Sequence, residues 1–268
     1  MNVTSWARPP VPLAAFLVAF ACCAGAASAR AATFETLSQA RSASIYGRVA
    51  AVHLESGATR HDEDRQSAAT SEADVGPARL NAGLALELPD GWAYAQGRAE
   101  QFSSLGPDSI RFSGLADANV SSGSADVQAE GSAGASVDFT QRFELDAAQD
   151  VRLTMNSAVL RDRSEDFQFL LATDDGRVIW ADTLVVGDDG VVRRSFSQLL
   201  NLQAGRYTLS ASLRAGAFLS GDLAQAGRTQ AEFTLAPVPE PGTWALAGLG
   251  LVALVWRMRP ARRNDDRL

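Results

Sequence analysis

The sequence predicts an all-β body, an antiparallel β-sandwich of jelly-roll-like type, on three observations. Apolar and polar residues alternate through most of residues 33–236, which is the period of a half-buried strand. The alternating runs recur roughly every 8–15 residues, separated by Gly/Asp turns. Helical periodicity is almost absent, and many short strands without helices fit two packed sheets better than a layered α/β fold.

Phe34–Ala43 is expected as a short helix or an irregular lead-in, and Ile45–Leu54 as the first strand. From His61-Asp62-Glu63-Asp64-Arg65 to Val75 there is no apolar period, so a long exposed loop is expected. Its three consecutive carboxylates lack the alternating oxygens and the glycine of a calcium loop. Leu80–Leu88 places Leu80, Ala82, Leu84, Leu86 and Leu88 on one face. Pro89-Asp90-Gly91 then turns the chain into Trp92–Phe102, with Trp92, Tyr94 and Gln96 in register, which is a hairpin signature. Ser109–Leu115 is another short strand. Residues 116–136 are rich in Ser, Ala and Gly and suit either a flat edge strand or a mobile segment.

The second half alternates more cleanly. Val137–Leu145 and Val151–Met155 continuing to Val159-Leu160 read as strands. Phe167–Ala172 meets Arg177–Asp182 across Thr173-Asp174-Asp175-Gly176, a tight hairpin. Leu184–Val186 and Val191–Phe196 are joined by Gly187-Asp188-Asp189-Gly190, and Leu199–Leu202 is expected as a packed crossover. Arg206–Ala217 and Thr229–Leu235 close the body.

Both termini read as export signals. Arg8 and the amino terminus precede an apolar block, Leu13–Ala24, and Ala27-Ser28-Ala29 supplies small residues for a signal peptidase. Cleavage after Ala29 is favoured, giving a signal peptide over residues 1–29, and Ala29-Arg30-Ala31 offers a second site. Ala19 and Phe20 stand where a lipoprotein signal has a Leu-like residue, which argues against lipidation of Cys22 or Cys23. Removal of the signal takes both cysteines with it and excludes disulfides and thiolate chemistry from the mature chain.

At the other end, Pro239 and Pro241 hold an extended peptide that lacks backbone donors. Thr243–Trp256 carries no charge and ends in Trp244 and Trp256, as at membrane interfaces. As a helix it reaches about 21 Å at ~1.5 Å per residue, against a hydrocarbon core of roughly 30 Å. It is therefore short for a permanent anchor and suits a sorting segment. Arg257, Arg259, Arg262 and Arg263 follow it and match anionic headgroups on the cytoplasmic side.

The order Val238-Pro239-Glu240-Pro241-Gly242-Thr243-Trp244, apolar run, arginine tail closely resembles the PEP-CTERM protein-sorting domain, here over residues 237–263. The resemblance implies recognition of Pro239, Glu240 and Pro241 by an exosortase, a membrane-embedded cysteine transpeptidase. It also implies cleavage near that motif and delivery of a membrane-anchored precursor to the cell surface or matrix of an exopolysaccharide-forming bacterium. Ala204-Gly205-Arg206-Tyr207-Thr208-Leu209 with a last strand running into Val238-Pro239 is similar to the β-sandwich ectodomains found ahead of this signal. The alternative is a simple C-terminal anchor that is not processed.

No catalytic set emerges. The two histidines, His53 and His61, have no Gly-x-Ser-x-Gly elbow and no zinc-ligand spacing around them. No phosphate loop opens a helix. Asp174-Asp175 and Asp188-Asp189 precede glycine, as turns require. The sequence has no lysine, and residues 33–236 carry 28 carboxylates against 17 arginines, a net charge of −11 that repels nucleic acid. The expectation is a non-enzymatic exported protein with no cofactor or metal, whose partners are signal peptidase, exosortase, the membrane and exopolysaccharide. A carbohydrate-binding module is the alternative, with Trp92 and Trp180 as stacking rings.

Overall fold

A computed structural model describes residues 33–70, 76–89, 92–123, 126–160, 166–185, 192–220 and 225–238. Among the described residues, twelve strands make two antiparallel six-stranded sheets. The first half of the chain contributes β1 (Phe34–His53), β2 (Thr59–Thr70), β3 (Ala78–Glu87), β4 (Ala93–Gly106), β5 (Ser109–Ser122) and β6 (Val127–Leu145). The second half contributes β7 (Gln149–Leu160), β8 (Asp166–Thr173), β9 (Val178–Val185), β10 (Val192–Leu202), β11 (Gly205–Ser220) and β12 (Gln225–Pro237).

The first sheet runs β2-β1-β6-β11-β8-β9 and the second β10-β7-β12-β5-β4-β3. From β5 to β12 the chain alternates between sheets, interrupted only by the β8–β9 hairpin. This is the eight-strand double Greek key of a jelly roll. β1–β2 widens the first sheet and β3–β4 the second.

Inward positions alternate along each strand and form one hydrophobic core. Phe233 of β12 is its hub, stacking on Phe112 at 5.0 Å and meeting Phe169 edge-on at 5.1 Å, with Phe139 at 5.9 Å. These rings come from both sheets, so one residue ties the layers together. At one pole Phe143 packs on Phe34 and Tyr207, and the Tyr207 hydroxyl donates to the Gln203 carbonyl at 2.7 Å. Burial of that phenol raises its pKa.

The predicted hairpins form as expected. β3 pairs with β4 from Ala78↔Ser103 to Glu87↔Tyr94. β8 pairs with β9, and Gly176 takes φ 86° in the turn, where a side chain would be strained. On β4, however, the inward face is Ala93, Ala95, Ala99, Gln101 and Ser103, while Tyr94 and Gln96 point outward.

Further expectations are corrected. Phe34–Ala43 is neither helix nor lead-in but the first half of β1, paired with β6 from Phe34↔Leu145 onward. Its strand period is disguised because Gln39 and Arg41 take buried positions, where Arg41 Nε donates to Ser103 Oγ at 2.7 Å. The segment from His61 is not a loop: Thr59–Thr70 is β2, an edge strand held by backbone pairing to β1 with its first nine residues exposed. Neither face of that stretch is buried, so no alternation is needed, and its charges guard the open edge.

Residues 116–136 are neither an edge strand nor a mobile segment as a whole, since Ala116–Ser122 complete the inner strand β5 and Val127–Ser136 begin the inner strand β6. Their small residues are a packing requirement: a Cβ on Gly131 would stand 2.8 Å from Val120 Cγ1. Leu199–Leu202 ends the edge strand β10, with Leu200 and Leu202 buried and Leu199 exposed. β9 and β10 do not form a hairpin, because they lie in different sheets. Residues 186–191 between them fall outside the described set.

Both ends of the body reach the same pole. Phe34 N–H donates to the Pro107 carbonyl at 3.2 Å, and Val238 N–H donates to the Asp150 carbonyl at 2.9 Å.

Candidate functional site

The residues named for sorting lie outside the described residues: Ala29, Pro239, Glu240, Pro241, the Thr243–Trp256 segment, Arg257, Arg259, Arg262 and Arg263. The fold does establish how that tail leaves the body. β12 is an inner strand flanked by β7 and β5, and its last residue, Pro237, is paired with Val151. Pro239 is thus the second residue after the strand.

Trp92 and Trp180 are both half-buried against the core, one just ahead of β4 of the second sheet and the other on the edge strand β9 of the first, so they do not form one platform. Trp92 directly precedes β4, with the His53 ring at 5.5 Å and the Arg60 guanidinium 6.0 Å from its centroid. Trp180 is the third residue of β9 and packs on Phe196 of β10 at 5.4 Å. Beside it Arg194 pairs with the buried Asp182, closing this edge of the sandwich.

The histidines do not gather a catalytic set among the described residues. His53 Nδ1 accepts the Ser56 backbone N–H at 3.3 Å in the β1–β2 turn, and His61 is exposed on β2. Asp174 pairs with Arg142, while Asp175 accepts from the Thr173 hydroxyl and, at 3.5 Å, from the Arg177 N–H. These bonds hold the Asp175 carboxyl below the usual aspartate range, the Thr173 bond contributing most. Both acids therefore serve the turn.

A broad, shallow concave surface lies on the outer face of the second sheet. The register aligns one residue from every strand in a single row: Ser195, Asn156, Glu232, Ser113, Phe102 and Arg79. A second row beside it brings Arg193, Gln230, Leu115, Glu100 and Asn81 into line. With strands about 4.8 Å apart, five spacings make each row about 24 Å long.

A shallow hollow of about 670 Å³ covers the β10–β5 half of these rows, and one of about 260 Å³ covers the β5–β3 half. The two share Ser113 and Leu115 and so make one trough. Ser195 Oγ donates to Asn156 Oδ1 at 2.6 Å, Arg98 pairs with Glu100, and the Arg79 guanidinium lies 5.9 Å from the Phe102 ring centroid. Sequence reasoning missed this surface because it followed the apolar parity of each strand. The opposite parity carries the trough, and its alignment depends on non-local pairing.

Residues 237–260 match the PEP-CTERM protein-sorting motif. The chain therefore carries that sorting domain, which marks an exported, membrane-anchored precursor for exosortase-dependent processing. No curated protein matches the sequence. Among solved structures, the chain is similar to the enzymatically active domain of tailspike protein 4 of bacteriophage CBA120. That likeness has 8% identity and a TM-score of 0.25, over 60% of this chain and 19% of that one. It is also similar to infectious bursal disease virus Gx strain (11% identity, TM-score 0.22, 81% of this chain and 59% of that one). The VP2 subviral particle of the same virus gives 9%, 0.20, 77% and 58%. The chain spans less than two thirds of each of these neighbours. Similarities this small carry no argument about function, and the jelly roll is assigned from strand order alone.

Proposed function

We propose that this chain is a non-enzymatic surface or matrix protein, carried to the cell exterior and handed to an exosortase that removes its C-terminal tail. One observation carries the reading: the sorting motif at residues 237–260 begins where the last inner strand of a folded sandwich ends. The body would then be the delivered cargo, associated with exopolysaccharide. The arginine tail and the apolar segment serve delivery only. Signal peptidase acts at Ala29, and the membrane holds the precursor between the two cleavages.

Fractionation of producing cells tests this. Wild type is expected at the surface in a shortened form. Replacement of Pro239, Glu240 and Pro241 by alanine is expected to leave a full-tail protein in the membrane fraction. Identical behaviour of the two would favour a simple unprocessed anchor.

A carbohydrate-binding module is the second reading, supported by partly accessible rings on a sandwich. If Trp92 or Trp180 is the stacking residue, polysaccharide pull-down is reduced in Trp92→Ala or Trp180→Ala. Unchanged pull-down by both variants rejects them as platforms.

A further inference from the structure

We propose that the trough on the outer face of the second sheet binds a linear acidic polysaccharide. Its carboxylates would rest on Arg79 and Arg193 near the trough's two ends, and its ring hydroxyls on Asn156, Gln230 and Glu232 between them. The inference rests on the matrix reading above and names the ligand class that this reading leaves open.

Geometry supplies the first argument. The two aligned rows run across all six strands, so a chain lying in them meets a side chain from each strand in turn. A length of about 24 Å accommodates a short run of sugar rings. Along it amide and carboxylate side chains, which match paired hydroxyls in donor and acceptor pattern, alternate with two apolar spots, Leu115 and Phe102. Phe102 is 41% exposed and offers a flat surface for the C–H face of a sugar.

Charge supplies the second. Residues 33–236 carry a net charge of −11, yet once Arg194, which also borders the trough, is set aside with its partner Asp182, Arg79, Arg98 and Arg193 stand against Glu100 and Glu232, a local balance of +1. Glu100 is already held by Arg98. Arg79 and Arg193 remain at opposite ends, and a guanidinium fork takes a carboxylate in two parallel hydrogen bonds. A neutral glycan would leave both arginines without counter-charge. A general polyanion would be repelled by the rest of the body, so capture has to be local.

Affinity electrophoresis of the purified full chain in mild detergent tests the proposal, with polygalacturonate or neutral dextran cast in the gel. Polygalacturonate is expected to retard the wild type, and dextran is not. Arg79→Ala/Arg193→Ala should weaken the apparent affinity about tenfold or more, and Asn156→Ala/Gln230→Ala several-fold, with retardation falling as salt rises. Arg48→Ala, on the outer face of the other sheet, should behave as wild type. All five substituted positions are on strand exteriors, and an unchanged melting temperature confirms that each variant is folded.

Equal retardation of the trough variants and wild type would overturn the proposal. So would retardation by dextran matching that by polygalacturonate, the absence of any retardation, or self-association abolished by the arginine substitutions. Because the assay does not depend on cell sorting, its failure leaves tail removal untouched, and a failure of tail removal leaves the binding result standing.

Discussion

The backbone N–H of Val238 donates to the carbonyl of Asp150 at 2.9 Å, and Pro239 follows immediately. Proline has no N–H to continue the ladder, so the sorting motif is joined to an inner strand without a spacer. Any cut beyond Val238 leaves all twelve strands whole. Precursor and processed protein are therefore expected to melt within about 2 °C of each other, less than the shift of a 1 kcal/mol loss in a domain of this size. Differential scanning calorimetry of both forms checks this, and a processed form several degrees less stable would place the cut inside β12.

Phe233 touches three other phenylalanines drawn from both sheets. Phe233→Ala should cost about 3–5 kcal/mol, because the cavity cannot collapse between two hydrogen-bonded sheets. Urea denaturation measures it. A cost below about 1 kcal/mol would mean that the aromatic hub does not hold the layers together.

Gly97 faces Ile45 across the sandwich, and a Cβ there would collide with the Ile45 side chain. Gly97→Ala is expected to destabilise by about 1–3 kcal/mol through overpacking. Ile45→Val in the same chain should recover part of the loss, since it removes the Cδ1 methyl that stands closest. A double-mutant cycle reads the coupling, and strict additivity would contradict the contact.

These contacts also explain what could be read from the sequence. The β3–β4 and β8–β9 hairpins were legible because turn residues and alternation coincide within a few residues. β2 was not, because an edge strand with neither face buried satisfies only its backbone, and His61-Asp62-Glu63-Asp64 leaves no trace of period 2. β6 was half legible. Phe139 and Phe143 announce its second part, whereas Ala129, Gly131 and Ala133 answer the close approach of neighbouring strands. The sorting motif was legible because it is linear. The trough was not, because its rows draw their residues from six different strands.

The β8–β9 turn has a pH signature. Asp175 accepts from Thr173 and Arg177, which keeps its carboxyl below the ordinary aspartate value of 3.8. A folded-state pKa below the unfolded one gives stability that is present above the unfolded value and lost as pH falls through the folded one. Order at this turn should therefore hold above pH about 4 and decline below it. Carbon NMR titration of the Asp175 carboxyl should show the depressed value, and Thr173→Val should return it toward 3.8. An equal value in both chains would contradict the bond.

The central claim is that the last thirty residues are a delivery signal removed from a finished sandwich. Intact-mass spectrometry of protein released from the cell surface tests it most directly. The expected mass is that of a chain that starts after the signal peptide and ends near Pro239-Glu240-Pro241. A surface protein whose mass still includes Arg262 and Arg263 would contradict the account.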